Sequence, residues 1–146
     1  DDQLLALVRS LTADDRAAIL AAAVGSRGNR RHRPGRAFER TAYRFDVVTD
    51  YGAFRDLQRH RMLTLDWQPL GAAHGFSLPD AVAAAGAAGD WRRVMQRCAD
   101  VHGALADAGL GAVASYAVPM AYRVRFYMDM NAREAMHVLE LRTAPQ

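Results

Sequence analysis

Between Pro119 and Asp129 the chain alternates strictly: Met120, Tyr122, Val124, Phe126 and Met128 fall on one side, Arg123, Arg125, Tyr127 and Asp129 on the other. That is the period of a strand with one buried face. A second alternating run, Arg40 to Thr49, sets Tyr43, Phe45 and Val47 against Arg44, Asp46 and Val48, and a third, Met62 to Trp67, sets Leu63, Leu65 and Trp67 against Met62, Thr64 and Asp66. Elsewhere the period is helical. Residues 3–9 and 13–24 predict two short helices, the second opened by Thr12 as N-cap with Asp14 and Asp15 in its first turn. Asp50 caps a helix ending near His60, with Phe54 and Leu57 on one face. After the connection Gln68 to Pro79 and a short Ala-rich helix, Gly89 begins an amphipathic helix whose apolar line is Trp91, Val94, Met95, Cys98, Val101 and Leu105. Gly109-Leu-Gly111 ends it. Asn131-Ala-Arg-Glu134 has the form of a capping box, and the helix it opens runs to about Leu141 with Ala135, Met136 and Leu139 inward. These elements predict an α+β fold: a small, mainly antiparallel sheet with helices packed on it.

Length predicts a single domain over 1–146, with N-terminal helices and a basic loop in 1–33 and the core in 34–146. No window approaches eighteen consecutive apolar residues, so no membrane partner is expected. The acidic start Asp1-Asp2 is not a secretory leader. Cys98 is the one cysteine, which leaves no internal disulfide and points to a reducing, cytoplasmic setting. It lies on an apolar helix face and is read as core.

The net charge is +3, yet all 19 basic residues are Arg. That uniformity, with the abundance of Ala and Gly, looks like a compositional habit, and a nucleic-acid module ranks last among the functions considered. Only clusters of Arg are informative. The loop Gly25-Ser-Arg-Gly-Asn-Arg-Arg-His-Arg-Pro-Gly-Arg36 carries five of them and is either a solvated segment or a clamp for phosphate. In the Tyr51 to Arg61 run, Arg55 and Arg59 recur at a four-residue spacing, where like charges repel unless an anion sits against both. The plain alternative is a solvated basic face. His32, His60, His74, His102 and His137 have no metal-ligand spacing, so no metal is expected. No Gly-x-Gly-x-x-Gly or phosphate-loop pattern occurs.

Two segments together resemble the flavin-dependent thymidylate synthases: Phe45 to Arg61, a strand and helix ending in Arg-His-Arg, and Asn131-Ala-Arg-Glu-Ala-Met-His-Val-Leu-Glu-Leu-Arg142, a helix following a strand. The similarity spans roughly Pro34 to the C-terminus. It implies a fold like that of thymidylate synthase complementing protein and a homotetramer with sites at subunit contacts. In those sites FAD carries hydride from NADPH to dUMP while methylenetetrahydrofolate supplies the carbon. The resemblance gives Arg59, His60, Arg61, Asn131, Arg133 and His137 to FAD, and Arg55, Asp56 and Arg142 to the nucleotide. Arg142 would hold the uracil ring and favour its ionised form. Glu39 matches an acidic position ahead of the first strand.

The chain departs from the family pattern in the nucleotide loop, where Trp67, Pro69 and Gly71 replace an acidic residue, a Ser and an Arg. Proline cannot donate a backbone hydrogen bond, and glycine offers no cation. Pro34 and Arg36 stand for the family's His and Thr, Ser115 for a substrate Arg, and the chain stops at Gln146 where the family continues into another helix. The alternative expectation is therefore a degenerate, non-catalytic flavin- or nucleotide-binding homologue acting as a structural or partner domain.

Overall fold

The structure is a computed structural model and describes residues 1–143. The expected end of the core at Gln146 lies outside them. The described residues hold seven helices and three strands: α1 (Asp2–Ser10), α2 (Ala13–Val24), β1 (Ala42–Asp50), α3 (Tyr51–Leu57), β2 (Thr64–Trp67), α4 (Asp80–Ala84), α5 (Ala88–Asp107), α6 (Gly111–Ala114), β3 (Arg123–Asn131) and α7 (Ala132–Arg142). Single 3₁₀ turns cover Arg36–Arg40 and Ser115–Ala117. The α+β expectation holds. None of the described helices is long and apolar enough to cross a membrane.

The sheet order is β1-β3-β2. The strand with the most apolar inward face, β3, is central because only a central strand has neighbours on both edges to cover it. β2 pairs antiparallel with β3 from Thr64↔Asp129 to Trp67↔Phe126. On the other edge Arg44 meets Asp129 and Asp46 meets Arg125. Residue numbers rise along β1 as they fall along β3, so this pairing is antiparallel as well.

The chain forms two compact units, Arg44–Asp129 and Asp1–Tyr43 with Met130–Gln146. In the first, Phe54, Val124 and Phe126 form the buried centre, with Val47, Tyr51, Leu57, Leu65, Leu70 and Met128 packed against it. The Phe54 ring lies 4.6 Å from that of Phe126 and 5.5 Å from that of Trp67. Burying one such side chain stabilises the fold by about 1.5–3 kcal/mol. The helix that delivers Phe54 starts where the sequence predicts, with Asp50 Oδ1 accepting from the Ala53 amide at 2.9 Å. Tyr122 hydroxyl donates to the Met95 carbonyl at 2.6 Å, and Trp91 Nε1 donates to the Ser77 carbonyl at 3.0 Å, which ties the long connection to α5.

In the other unit, Thr12 and Asp15 complete a capping box on α2, and Asn131 Oδ1 accepts from the Glu134 amide at 2.9 Å to open α7. Residues 24–34 form a loop closed at its neck by a bond from the Gly35 amide to the Ala23 carbonyl, 2.8 Å. A Cβ at Gly35 would lie 2.5 Å from that oxygen, so the close approach requires glycine.

Several inward positions differ from expectation. Tyr43 and Phe45 remain 43% and 45% exposed, because β1 is an edge strand and only Val47 reaches the centre of the core. On α5, Val94 and Val101 are exposed, and the buried or half-buried line runs Trp91, Met95, Cys98, His102, Leu105. On α7, Leu139 is 59% exposed while Val138 is 8% exposed. The covered stripe there follows Glu134 and Val138, four residues apart, and Leu139 sits a further 100° around the helix.

Candidate functional site

The Arg-His-Arg segment sits just beyond α3. The helix stops at Leu57, and a turn follows in which the Arg59 amide donates to Asp56 and the His60 amide to Leu57. Arg55 lies within the helix and Arg59 in the turn beyond it, with Arg59 Nη1 3.7 Å from Asp56 Oδ1 and Arg55 Nη1 3.5 Å from Met120 Sδ. His60 is 6% exposed. Arg59 and Arg61 are exposed on either side of it, and Arg61 has no ion pair among the described residues. A buried imidazole thus anchors a turn that presents two guanidinium groups, with Arg55 and Asp56 about one turn behind.

The second group of site residues lies along α7. Asn131 is the cap, which fixes where the helix begins. Arg133 donates to Glu39, and the same carboxylate accepts from Arg36 Nε at 3.1 Å. The bond from Arg36 and, after it, that from Arg133 hold the Glu39 carboxyl below its ordinary range against the opposing effect of burial. His137 is exposed one turn beyond Arg133 on the same face. Arg142 closes the helix, roughly 14 Å along the axis from Arg133 at 1.5 Å per residue. A cation there complements the carbonyl end of the helix dipole. Farther round, Arg27 makes a paired contact with Glu140 at 2.7 and 2.8 Å and depresses its pKa, as does the nearby His137 to a smaller extent.

The segment in place of the family's nucleotide loop is closed by its own contacts. Trp67 is in the aromatic cluster around Phe54, the Gln68 amide donates to the Arg125 carbonyl at 3.0 Å, and Gln68 Oε1 is 2.9 Å from His74 Nε2. A Cβ at Gly71 would be 3.5 Å from the His102 ring.

Sequence reasoning missed the outer face of the sheet. There Arg44 holds Asp129 and Arg125 holds Asp46, each through two bonds of 2.6–3.0 Å, with the Arg44 guanidinium 5.3 Å from the centre of the Tyr127 ring. Asp46 and Asp129 are held below, and both arginines above, their ordinary values by these bonds. A cavity of about 380 Å³ borders Arg44, Asp46, Arg125 and Tyr127 together with Asp66 and Trp67. Each strand runs from Arg to Asp along its polar side, an order that matches opposite charges only once the two strands are set antiparallel. Among the described residues no group of three or more His, Cys, Asp or Glu is placed to hold a metal ion.

A three-stranded antiparallel sheet flanked by helices, with an arginine-bearing turn after its first strand and an Asn-capped helix after its last, defines the class. Residues 18–146 match the thymidylate synthase complementing protein family, and the chain belongs to it. A UPF0159 protein of Chlamydia pneumoniae is 35% identical over 143 residues, 98% of this chain and 27% of that protein. UPF0159 proteins of Chlamydia muridarum and Thermoplasma acidophilum are each 37% identical, covering 98% of this chain and 27% and 29% of their own lengths. The chain thus spans little more than a quarter of these relatives.

Proposed function

We propose that this chain is a flavin-binding unit of a thymidylate-synthase-like enzyme that carries out FAD-mediated reductive methylation of dUMP to dTMP, with methylenetetrahydrofolate and NADPH as co-substrates. The observation that carries the reading is the family match running through both the Arg59-His60-Arg61 turn and the Asn131-Ala132-Arg133 helix start. The residues suit an anionic dinucleotide. Arg61 has no ion pair among the described residues, and Arg59 shares only a 3.7 Å contact with Asp56, so both planar forks remain able to take phosphate oxygens. Bound FAD would supply the hydride relay between the reduced cofactor and the pyrimidine.

Within this proposal Arg59, His60 and Arg61 hold FAD from one subunit of a homotetramer, and Asn131, Arg133 and His137 from a neighbour. Glu39 keeps the Arg133 side chain in one orientation. Arg142 holds the uracil ring and stabilises negative charge on its N3–O4 edge, which favours the ionised base. Arg55 and Asp56 belong to the nucleotide side.

A second reading has its own observation. Trp67 is drawn into the aromatic cluster around Phe54, and Pro69 and Gly71 bring no donor or cation, so the usual nucleotide contacts are missing at those positions. In that reading the chain binds flavin or nucleotide without methylating dUMP. One set of measurements tests both. FAD added to the purified chain should give a perturbed flavin absorption band that shifts again with dUMP, and tritium should be released from labelled dUMP when folate and NADPH are present. Flavin uptake without tritium release selects the second reading, and uptake of neither FAD nor dUMP overturns both.

A further inference from the structure

The loop between α2 and the 3₁₀ turn is not a slack connection. Its neck is the Gly35 to Ala23 main-chain bond, with Pro34 buried beside it. Inside, Arg27 Nε donates to the His32 carbonyl, the Gly28 amide donates to His32 Nδ1 at 3.0 Å, and the Arg31 amide donates to Asn29 Oδ1 at 2.9 Å. The His32 amide closes a tight turn onto the Asn29 carbonyl at 3.1 Å. This is a compact loop with close ends, ordered by its own internal hydrogen bonds.

Its five arginines fall into two sets. Arg27 is neutralised by Glu140 and Arg36 by Glu39. Arg30, Arg31 and Arg33 are exposed, and their side chains have no ion pair or hydrogen bond among the described residues. Three uncompensated cations within four residues repel one another, and the internal bonds hold them together nonetheless. An anion seated among them removes that repulsion and meets up to three guanidinium forks carried on a loop whose backbone is already ordered.

The chemistry narrows the anion. A nucleic-acid strand is tracked by a stripe of cations and, when single-stranded, by aromatic platforms for its bases. Residues 25–36 contain no Phe, Tyr or Trp, and the cations at both ends of the loop are cancelled by carboxylates, so the positive field stops at the tip. We infer that the tip formed by Arg30, Arg31 and Arg33 is a binding site for a small ligand carrying adjacent phosphate groups, a di- or triphosphate. None of these three arginines is among the residues proposed to hold flavin, and the inference does not rest on that proposal.

Inorganic triphosphate titrated calorimetrically into the whole chain tests it. Saturable binding is expected, weakened by rising salt. The triple variant Arg30→Ala, Arg31→Ala, Arg33→Ala should bind at least about tenfold more weakly, given that charge-assisted bonds to phosphate are lost at three positions. A control that removes exposed, unpaired cations elsewhere, Arg92→Ala with Arg97→Ala, should change the affinity by less than about twofold. Gly35→Ala, which keeps every charge and crowds the neck, should weaken binding as well. Thermal melts confirm folding, which the triple variant should keep because the three side chains are exposed and make no ion pair or hydrogen bond among the described residues. No saturable binding at millimolar triphosphate, or equal losses in the triple variant and the control, overturns the inference. So does a single-stranded oligonucleotide that binds far more tightly than triphosphate. FAD titrated in parallel keeps the two sites apart: loss of triphosphate binding with flavin uptake intact supports this one, whereas loss of both together makes the loop part of the flavin site and refutes its independence.

Discussion

Arg133 donates to Glu39, and Glu39 also accepts from Arg36, so one carboxylate ahead of β1 orients the first arginine of α7. Replacing it by Gln removes the anion and lets the Arg133 side chain swing. Glu39→Gln should lower the affinity for FAD by roughly tenfold, the scale of one charge-assisted hydrogen bond. Both side chains keep some exposure, so only a small fall in melting temperature is expected. Glu39→Asp should recover part of the affinity. Fluorescence titration with FAD and thermal melts check both.

Asn131 has a structural role, the α7 cap, and a proposed one toward flavin. Asn131→Ala should destabilise the chain by about 1 kcal/mol through loss of the cap. Asn131→Asp keeps an oxygen for the Glu134 amide and favours the helix N-terminus, so its stability should match the parent. It loses the amide donor and adds a negative charge, so its FAD affinity should fall. Equal FAD affinity in Asn131→Asp and the parent would confine Asn131 to capping.

Acid should unfold this protein in a defined window. Asp46, Asp129, Glu39 and Glu140 all have folded pKa values below their ordinary values of 3.8 for Asp and 4.5 for Glu, chiefly through bonds from Arg125, Arg44, Arg36 and Arg27 respectively. The unfolded chain therefore binds protons first, and the stabilisation is complete above those ordinary values and lost as pH falls through the folded ones. Melting temperature should hold nearly level from pH 7 to about 5 and drop steadily below about 4.5. Asp46→Asn should flatten part of that drop.

Tyr122 is 3% exposed with its hydroxyl on the Met95 carbonyl, and burial, with the nearby Cys98 and Asp100 adding to it, raises its pKa above the ordinary 10.0. Tyr122→Phe should cost about 0.5–1.5 kcal/mol, the net worth of one such bond. In an alkaline absorbance titration it should remove the last-ionising of the five tyrosines. Phe54→Ala, which empties the centre of the core, should cost about 3–5 kcal/mol.

Much of the fold was legible because it is locally encoded. Thr12, Asp50 and Asn131 cap the helices that their positions predict, and alternation marks all three strands. What the pattern could not decide is which of two neighbouring apolar residues is covered. Leu139 and Val138 are equally apolar, and only the stripe set by tertiary packing separates them. The four-residue spacing of Arg55 and Arg59 left out Asp56, three residues before Arg59, whose carboxylate lies 3.7 Å from that guanidinium. The family segments were readable because they are short and contiguous. The ion pairs across the sheet join residues 79 and 85 apart in sequence and become visible only with strand register.

The glycine-necked loop has a use beyond its charge. Because its ends are joined by main-chain atoms, with no tip side chain involved, the exposed tip can be exchanged for foreign peptide without removing the bond that closes the neck. An epitope or a fluorescent amino acid placed there would give a reporter whose signal tracks the scaffold.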